Sequence, residues 1–300
     1  TLNYEIDIYM IYVTGDMIID EYIYGTTTRI SPEAPVPIVD LTSRESRWGG
    51  CGNVYNNIVR IYTEAKLACY YDLRTEYMFN KEHENHKFYL TNKIPLKTRI
   101  MSNNRYMSRI DDEEYIKSTE LQDDIFNHWN MTENGVVVLS DYNKGSIKDP
   151  QKFITKCKGK VLVDPKLSLD NYKGAYLLKP NKKEFEDYVG VCKNPKELMA
   201  KAQLTRDHLE LEHLVVTLGE DGVLLVGDTI EHYESVVEEV YDVTGAGDTF
   251  MAGLALGVEA KMSISASTRA ANKLAGIAVS HNGTYAISGD NWIKVIKDLA

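Results

Sequence analysis

Cysteine is scarce in this chain of 300 residues. Cys51, Cys69, Cys157 and Cys192 show neither a CxxC nor a His-paired spacing, so no zinc site and no disulfide framework is suggested. The seven histidines form no ligand constellation either. Long apolar runs are missing: no stretch approaches the roughly 18 residues that a membrane span needs. Glu5 and Asp7 stand where a secretory leader carries positive charge, so a reduced, cytoplasmic protein is expected. Positive charge is in deficit, with 34 Lys and Arg against 44 Asp and Glu and a formal net charge of −10. That balance argues against general affinity for nucleic acid or an anionic membrane, and neither is expected as a partner. No internal repeat or low-complexity tract is present. With 43% hydrophobic and 26% charged residues, the composition is that of a globular chain able to bury a large core.

The patterning indicates an α/β fold. The apolar run Ile8–Val13 ends at Gly15-Asp16 and reads as a buried strand entering a loop. Two alternating segments, about 20–45 (with Pro32, Pro35 and Pro37) and 86–111, suit short strands that pair into a small sheet outside the core. A probable helix near 53–62 follows the Gly49-Gly50-Cys51-Gly52 turn. From about 120, helices (120–134, 149–158, from Lys182, 195–209) alternate with short apolar strands at 136–139, 161–163, 175–178 and 214–217. A hairpin at Glu220-Asp221-Gly222 then leads into Val223–Val226. This rhythm predicts a doubly wound, mostly parallel sheet flanked by helices. Gly/Ala-rich helices are expected over 247–258 and 264–280.

The strongest chemical signal is Asp242-Val243-Thr244-Gly245-Ala246-Gly247-Asp248 ahead of an apolar helix. Two glycines at a helix N-terminus free amide groups for an anion, and an aspartate in the first turn could accept a proton from an attacking hydroxyl. At that position its pKa should not be high. The same residues would also serve as a plain turn with Asp248 as a cap. Asn181-Lys182-Lys183-Glu184 fits a helix capping box and equally a phosphate and metal site. Asp16 and Asp20 are acceptors suited to polyol hydroxyls. Asn53 and Asn57, four apart, share a helix face, and Asn53 is favoured as the ligand. Arg105 and Arg109, evenly spaced on a strand, should share one face, and Lys144 follows a strand end; these are the candidate cations for a phosphorylated substrate.

The Asp242–Asp248 segment resembles the signature of the ribokinase-type, or phosphofructokinase-B, sugar kinases. So, in the right order, do Gly15-Asp16 with Asp20, Gly49-Gly50 with Asn53, Asn181–Glu184, and Thr217-Leu218-Gly219-Glu220-Asp221-Gly222. Within that family, Arg29–Val39, Leu139–Gly145, Val163–Lys166 and Lys179–Asn181 are similar to the D-glycero-β-D-manno-heptose 7-phosphate kinases. Cys51-Gly52, where Ala-Ala is frequent, and a short polar 60–90 stretch depart from the pattern. The resemblance implies one ribokinase-like kinase domain over 1–300 with a β lid, using ATP and magnesium, with room for a monovalent cation. It implies phosphorylation of the anomeric hydroxyl of a heptose 7-phosphate. Asp248 is then the base, and Gly245, Ala246 and Gly247 hold the transferring phosphate. Asp16, Asp20, Gly49, Gly50, Asn53, Arg105, Arg109 and Lys144 meet the sugar phosphate. Asn181, Lys182, Lys183, Glu184, Thr217, Gly219 and Gly222 meet the nucleotide, with magnesium at Glu184 through water. A homodimer formed through the lid is expected. The rival readings are a kinase for another sugar and a catalytically silent relative that binds nucleotide or sugar.

Overall fold

Ile11-Tyr12-Val13-Thr14-Gly15 is buried along its whole length, as a strand covered on both faces must be, and forms β1 (Ile11–Gly15) inside a large sheet. The computed structural model describes residues 10–81, 83–103, 105–128, 135–237, 240–281 and 283–299. Two strands of 14 residues follow β1: β2 (Met17–Ile30) and β3 (Pro37–Gly50), which runs straight into helix α1 (Cys51–Val59). Next come β4 (Lys66–Tyr71), β5 (His86–Leu90), β6 (Leu96–Ser102), β7 (Arg105–Asp112) and α2 (Glu120–His128). The alternating part holds β8 (Val136–Ser140), α3 (Pro150–Lys156), β9 (Lys160–Asp164), β10 (Leu177–Leu178), α4 (Lys182–Val189), α5 (Pro195–His208) and β11 (His213–Thr217). The chain continues with β12 (Val223–Val226), β13 (Ile230–Tyr233), α6 (Ala246–Glu259), α7 (Ile264–Val279) and α8 (Gly289–Lys297).

Among the described residues the large sheet has nine strands in the order β13-β12-β11-β10-β9-β8-β1-β4-β5. It is parallel from β5 to β11, and β12 and β13 continue it antiparallel at one edge. Strands buried on both faces read as unbroken Val/Leu/Ile runs, and β8 (VVVLS) and β9 (KVLVD) do so. Parallel strands end on the same side. The carboxyl ends of β1, β8, β9 and β10 therefore bring Asp16, Asp141, Asp164 and Lys179 to one edge, the place where open α/β sheets bind ligands. At the end of β1, Gly15 has φ 144° and lies so close to β8 that a Cβ would sit 2.0 Å from the Ser140 carbonyl oxygen. Only glycine permits that approach.

The second sheet has the order β3-β2-β6-β7 and stands off the core. It draws on 17–50 and 96–112, so the expected 86–111 pair needs correcting. His86–Leu90 is the edge strand of the large sheet, pairing in parallel with β4. Its apolar Phe88 and Leu90 fall at alternate positions in sequence, as they would in a strand of the small sheet, although it is Tyr89 that is buried and Leu90 that is exposed. The polar 60–90 stretch also conceals β4, whose Leu67–Tyr71 are buried. The expected strand at 175–178 is reduced to Leu177–Leu178. Ile8 and Tyr9 of the first expected strand and residues 129–134 of the expected 120–134 helix lie outside the described residues.

Candidate active site

Helix α6 starts on Gly245, whose φ of 79° is left-handed and whose absent Cβ leaves room for the Asn53 side chain; a methyl there would sit 2.6 Å from Asn53 Nδ2. No side chain caps the first turn, and Ala246 and Gly247 line a cavity of about 1160 Å³. The Ala246 N–H donates to the Val243 carbonyl at 3.3 Å, and the other first-turn amides with the helix dipole make this end of the cavity attractive to an anion.

Asp248 lies in that first turn, 3% exposed. Its Oδ2 accepts a hydrogen bond from Asn53 Nδ2 at 2.9 Å and its Oδ1 one from Tyr142 Oη at 2.7 Å. Burial pushes its pKa up to about 7; the bonds from Asn53 and Tyr142 pull the other way, nearby Asp164 adds to the rise, and Lys179 offsets part of it. The expectation of a pKa that is not high is thus corrected: desolvation outweighs the helix end. A carboxyl group titrating near 7 is suited to taking a proton at neutral pH.

Lys179 Nζ pairs with Asp164 Oδ1 at 3.0 Å and is itself 3% exposed. A Cβ on Gly247 would lie 3.6 Å from that nitrogen, so the buried ammonium stands beside the glycine turn. Burial raises the Asp164 pKa, while Lys179 holds it down in part. Asp16 is wholly buried, and its carboxylate accepts three backbone N–H groups. Oδ2 takes those of Tyr142 (2.8 Å) and Lys144 (2.9 Å), and Oδ1 takes that of Ser146 (2.9 Å). It therefore fixes the loop that carries Tyr142. The Lys144 side chain turns away to Glu113, at 2.6 Å.

On the cavity's far side lie Asn181, Lys182, Lys183, Glu184, Thr217, Gly219 and Gly222. Asn181 and Glu184 form a complete capping box of α4: Glu184 N–H donates to Asn181 Oδ1 at 2.9 Å, and Asn181 N–H to Glu184 Oε2 at 3.0 Å. Glu184 Oε1 also receives Lys166 Nζ at 2.8 Å. Lys182 pairs with Asp221 and Lys183 with Asp187. Among the described residues no three His, Cys, Asp or Glu side chains cluster as a metal cage.

The small sheet closes the other side. Asp20, on β2, is buried and pairs with Arg99 of β6, and a Cβ on Gly49 would sit 2.5 Å from Asp20 Oδ2. Gly50, with φ 57°, is the N-cap of α1. Arg47 is directly opposite Asp20, and Arg99 directly opposite Tyr22, so all four share a face. The two guanidinium groups lie 5.5 Å and 5.3 Å from the Tyr22 ring. The Tyr22 hydroxyl is buried without a hydrogen-bond partner, and its pKa is pushed up to about 12, chiefly by burial. Thr284 Oγ1 is likewise buried and unpartnered, and the Thr284 methyl lies 3.2 Å from the position a Cβ on Gly245 would take.

Arg105 and Arg109 do not share a face. A bulge in β7 sets Ser108 opposite Ile100 but Tyr106 opposite Met101, which flips the alternation between them. Arg109 sits opposite Arg99 and binds Asp111, whereas Arg105 is opposite Ser102 on the other face. Spacing alone could not reveal the bulge. Sequence reasoning also passed over Lys179, Tyr142, Asp164, Arg47 and Arg99. The first three lie in segments already singled out, at or just after strand ends; the two arginines look like ordinary strand charges.

Known proteins resemble this chain in sequence and in fold. Two relatives carry the name Bifunctional protein HldE. That of Psychromonas ingrahamii is 38% identical over 301 residues and that of Shewanella sediminis 39% identical over 298, each match covering 95% of this chain and 63% of the relative. The chain thus spans about 63% of the length of the curated relatives it matches. Solved structures with the same fold include phosphofructokinase-2 of Escherichia coli (TM-score 0.78, 18% identity, covering 97% of this chain and 98% of that one). Ribokinase of Thermotoga maritima is another (TM-score 0.77, 17% identity, covering 96% and 99%). The pattern of the pfkB family carbohydrate kinases matches residues 72–290, more than half of the chain, and the chain belongs to that family.

Proposed function

We propose that the protein transfers the γ-phosphoryl group of ATP to the anomeric hydroxyl of D-glycero-β-D-manno-heptose 7-phosphate, giving the 1,7-bisphosphate. The observation that carries the reaction is the buried Asp248 at an uncapped helix start, with the cavity on one side and the small sheet on the other. The nucleotide occupies the cavity, its base against Val240, Val243 and Phe250 and its phosphates toward Gly247 and Lys179. The sugar hydroxyl gives its proton to Asp248 as its oxygen bonds to the γ-phosphorus and the bond to ADP breaks. Little basicity is needed before that bond is well advanced. The amides of Gly245, Ala246 and Gly247 and the Lys179 ammonium take up the charge on the transferring oxygens, fixed in place beforehand.

The donor set suits magnesium held chiefly by phosphate oxygens and water. Of the carboxylates lining the cavity, which also include Asp141 and Glu220, Asp164 and Glu184 would hold the ion, with Glu184 acting through water. When bound, the ion neutralises phosphate charge. For the sugar's own phosphate the lid offers Arg99 and Arg47 around the unpartnered Tyr22 hydroxyl; guanidinium forks match phosphate oxygens. Asp20 holds Arg99 and accepts from sugar hydroxyls. The heptose assignment rests on the likeness of Arg29–Val39, Leu139–Gly145 and Lys179–Asn181 to heptose 7-phosphate kinases. On the small sheet the exposed Leu41 and Ile110 share the face of Glu21 and Gly25, a surface suited to a second copy, which sedimentation would read as twice the chain mass.

The test is ATP consumption with magnesium against a panel of sugars and sugar phosphates. Turnover confined to the heptose 7-phosphate supports the whole reading. Turnover on a different sugar keeps the kinase and discards the heptose, and silence across the panel with ATP bound discards the kinase.

A further inference from the structure

Asp248 offers two oxygens, and in the sugar-free protein each already receives a donor from a different side. Asn53 reaches Oδ2 from α1, next to the small sheet. Tyr142 reaches Oδ1 from the loop after β8. Its side chain lines the nucleotide cavity, whereas Asp248 does not. The phenol therefore stands between the cavity and the base. Its backbone is anchored, because the Tyr142 N–H is held by the buried Asp16, as are those of Lys144 and Ser146. Burial and the neighbouring Asp248 push the Tyr142 pKa well above its ordinary value, so the hydroxyl stays a donor at any working pH. A carboxylate beside bound ATP would otherwise serve water as readily as sugar. Water entering from the cavity would pass a proton to Asp248, bond its oxygen to the γ-phosphorus and release ADP.

We propose that Tyr142 is a positioning residue that shields the cavity side of Asp248, so that the base accepts a proton only from a hydroxyl delivered from the lid side. Tyr142 thereby separates sugar phosphorylation from ATP hydrolysis. The inference rests on the kinase reading above. The other groups facing Asp248 are Asp164 and Lys179 from the ends of β9 and β10 and the buried Cys51 thiol from α1. None of these stands in for the phenol as a neutral donor to Oδ1.

Two variants separate the hydroxyl from the ring. Tyr142→Phe keeps the ring and removes the donor that favours the ionised carboxylate. A hydrogen bond to a charged group is worth roughly tenfold in proton affinity, so the acid limb of the kcat/KM profile should move up by about one pH unit. Tyr142→Ala also removes the screen, and the ratio of sugar-free ATP hydrolysis to sugar phosphorylation should rise at least about tenfold over that of Tyr142→Phe. Thermal melts and ATP titration show that each variant is folded and binds nucleotide. If the parent phosphorylates a sugar, an unmoved acid limb in Tyr142→Phe or an unchanged ratio in Tyr142→Ala overturns this inference alone. A parent that phosphorylates none of the sugars overturns the kinase reading and this inference together.

Discussion

Replacing Asp248 by asparagine should slow phosphoryl transfer and at the same time make the fold more stable, with a pH signature for the second effect. The carboxyl group is forced from the usual 3.8 to about 7, mainly by burial. Three units of displacement correspond to about 4 kcal/mol. The sign follows from proton counting. Between about pH 4 and 7 the folded chain keeps a proton that the unfolded chain has lost, so this group's contribution to stability falls as pH rises. Above 7 the full penalty applies, and below 4 it is gone. Asparagine carries no such charge and can keep both neighbours: its oxygen accepts from Asn53, and its amide donates to the Tyr142 hydroxyl oxygen. The variant should therefore melt higher than the parent at pH 8, on the order of 10 °C for a chain of this size, with the gap closing toward pH 4. Its turnover should drop by about 10²–10⁴-fold, the usual contribution of a positioned base. Ligand-free melts from pH 4.5 to 8 and kcat at saturating substrates are the assays. A melting difference independent of pH, or a variant within tenfold of the parental kcat, would refute the placement of a strained, proton-accepting carboxylate at this position.

Arg99→Lys keeps the charge beside Asp20 but gives up the planar fork. It should raise KM for the phosphorylated sugar by about tenfold and leave KM for ATP near the parental value, as steady-state kinetics on both substrates would show. Gly245→Ala imposes a side chain on a φ of 79° and places it 2.6 Å from Asn53 Nδ2. It should cost about 1–2 kcal/mol in a denaturant melt and lower kcat, by displacing the residue that holds Oδ2.

The parallel sheet was legible because its strands are buried on both faces and short, and because helices of ordinary length separate them. β4 escapes because its apolar stretch, Leu67–Tyr71, sits among polar loops, and β5 because Phe88 and Leu90 alternate in sequence as residues of the small sheet would. In the site, the glycine turn and Asp248 stand together in seven consecutive residues, so the chain itself announces them. Lys179, Tyr142 and Asp164 come from three separate strand ends that only the sheet order brings together. The pKa of Asp248 was misjudged for a related reason: the helix end is visible in sequence, whereas the packing that strips water from it is not. The arginine pair failed on a single inserted residue, since one bulge reverses which side of the sheet everything beyond it faces.

The β2–β3 half of the small sheet leaves the core and returns to it with almost no slack. Only Asp16 separates β1 from β2, and β3 passes into α1 without a connecting residue. The two crossing points are tied to each other, Cys51 N–H donating to the Asp16 carbonyl at 3.0 Å. A strand of 14 residues is about 45 Å long, so one degree of rotation at this root moves the tip by about 0.8 Å. The relation runs both ways. Anything that grips the tip exerts torque on the first turn of α1, where Asn53 grips Asp248, so the small sheet is a lever on the base.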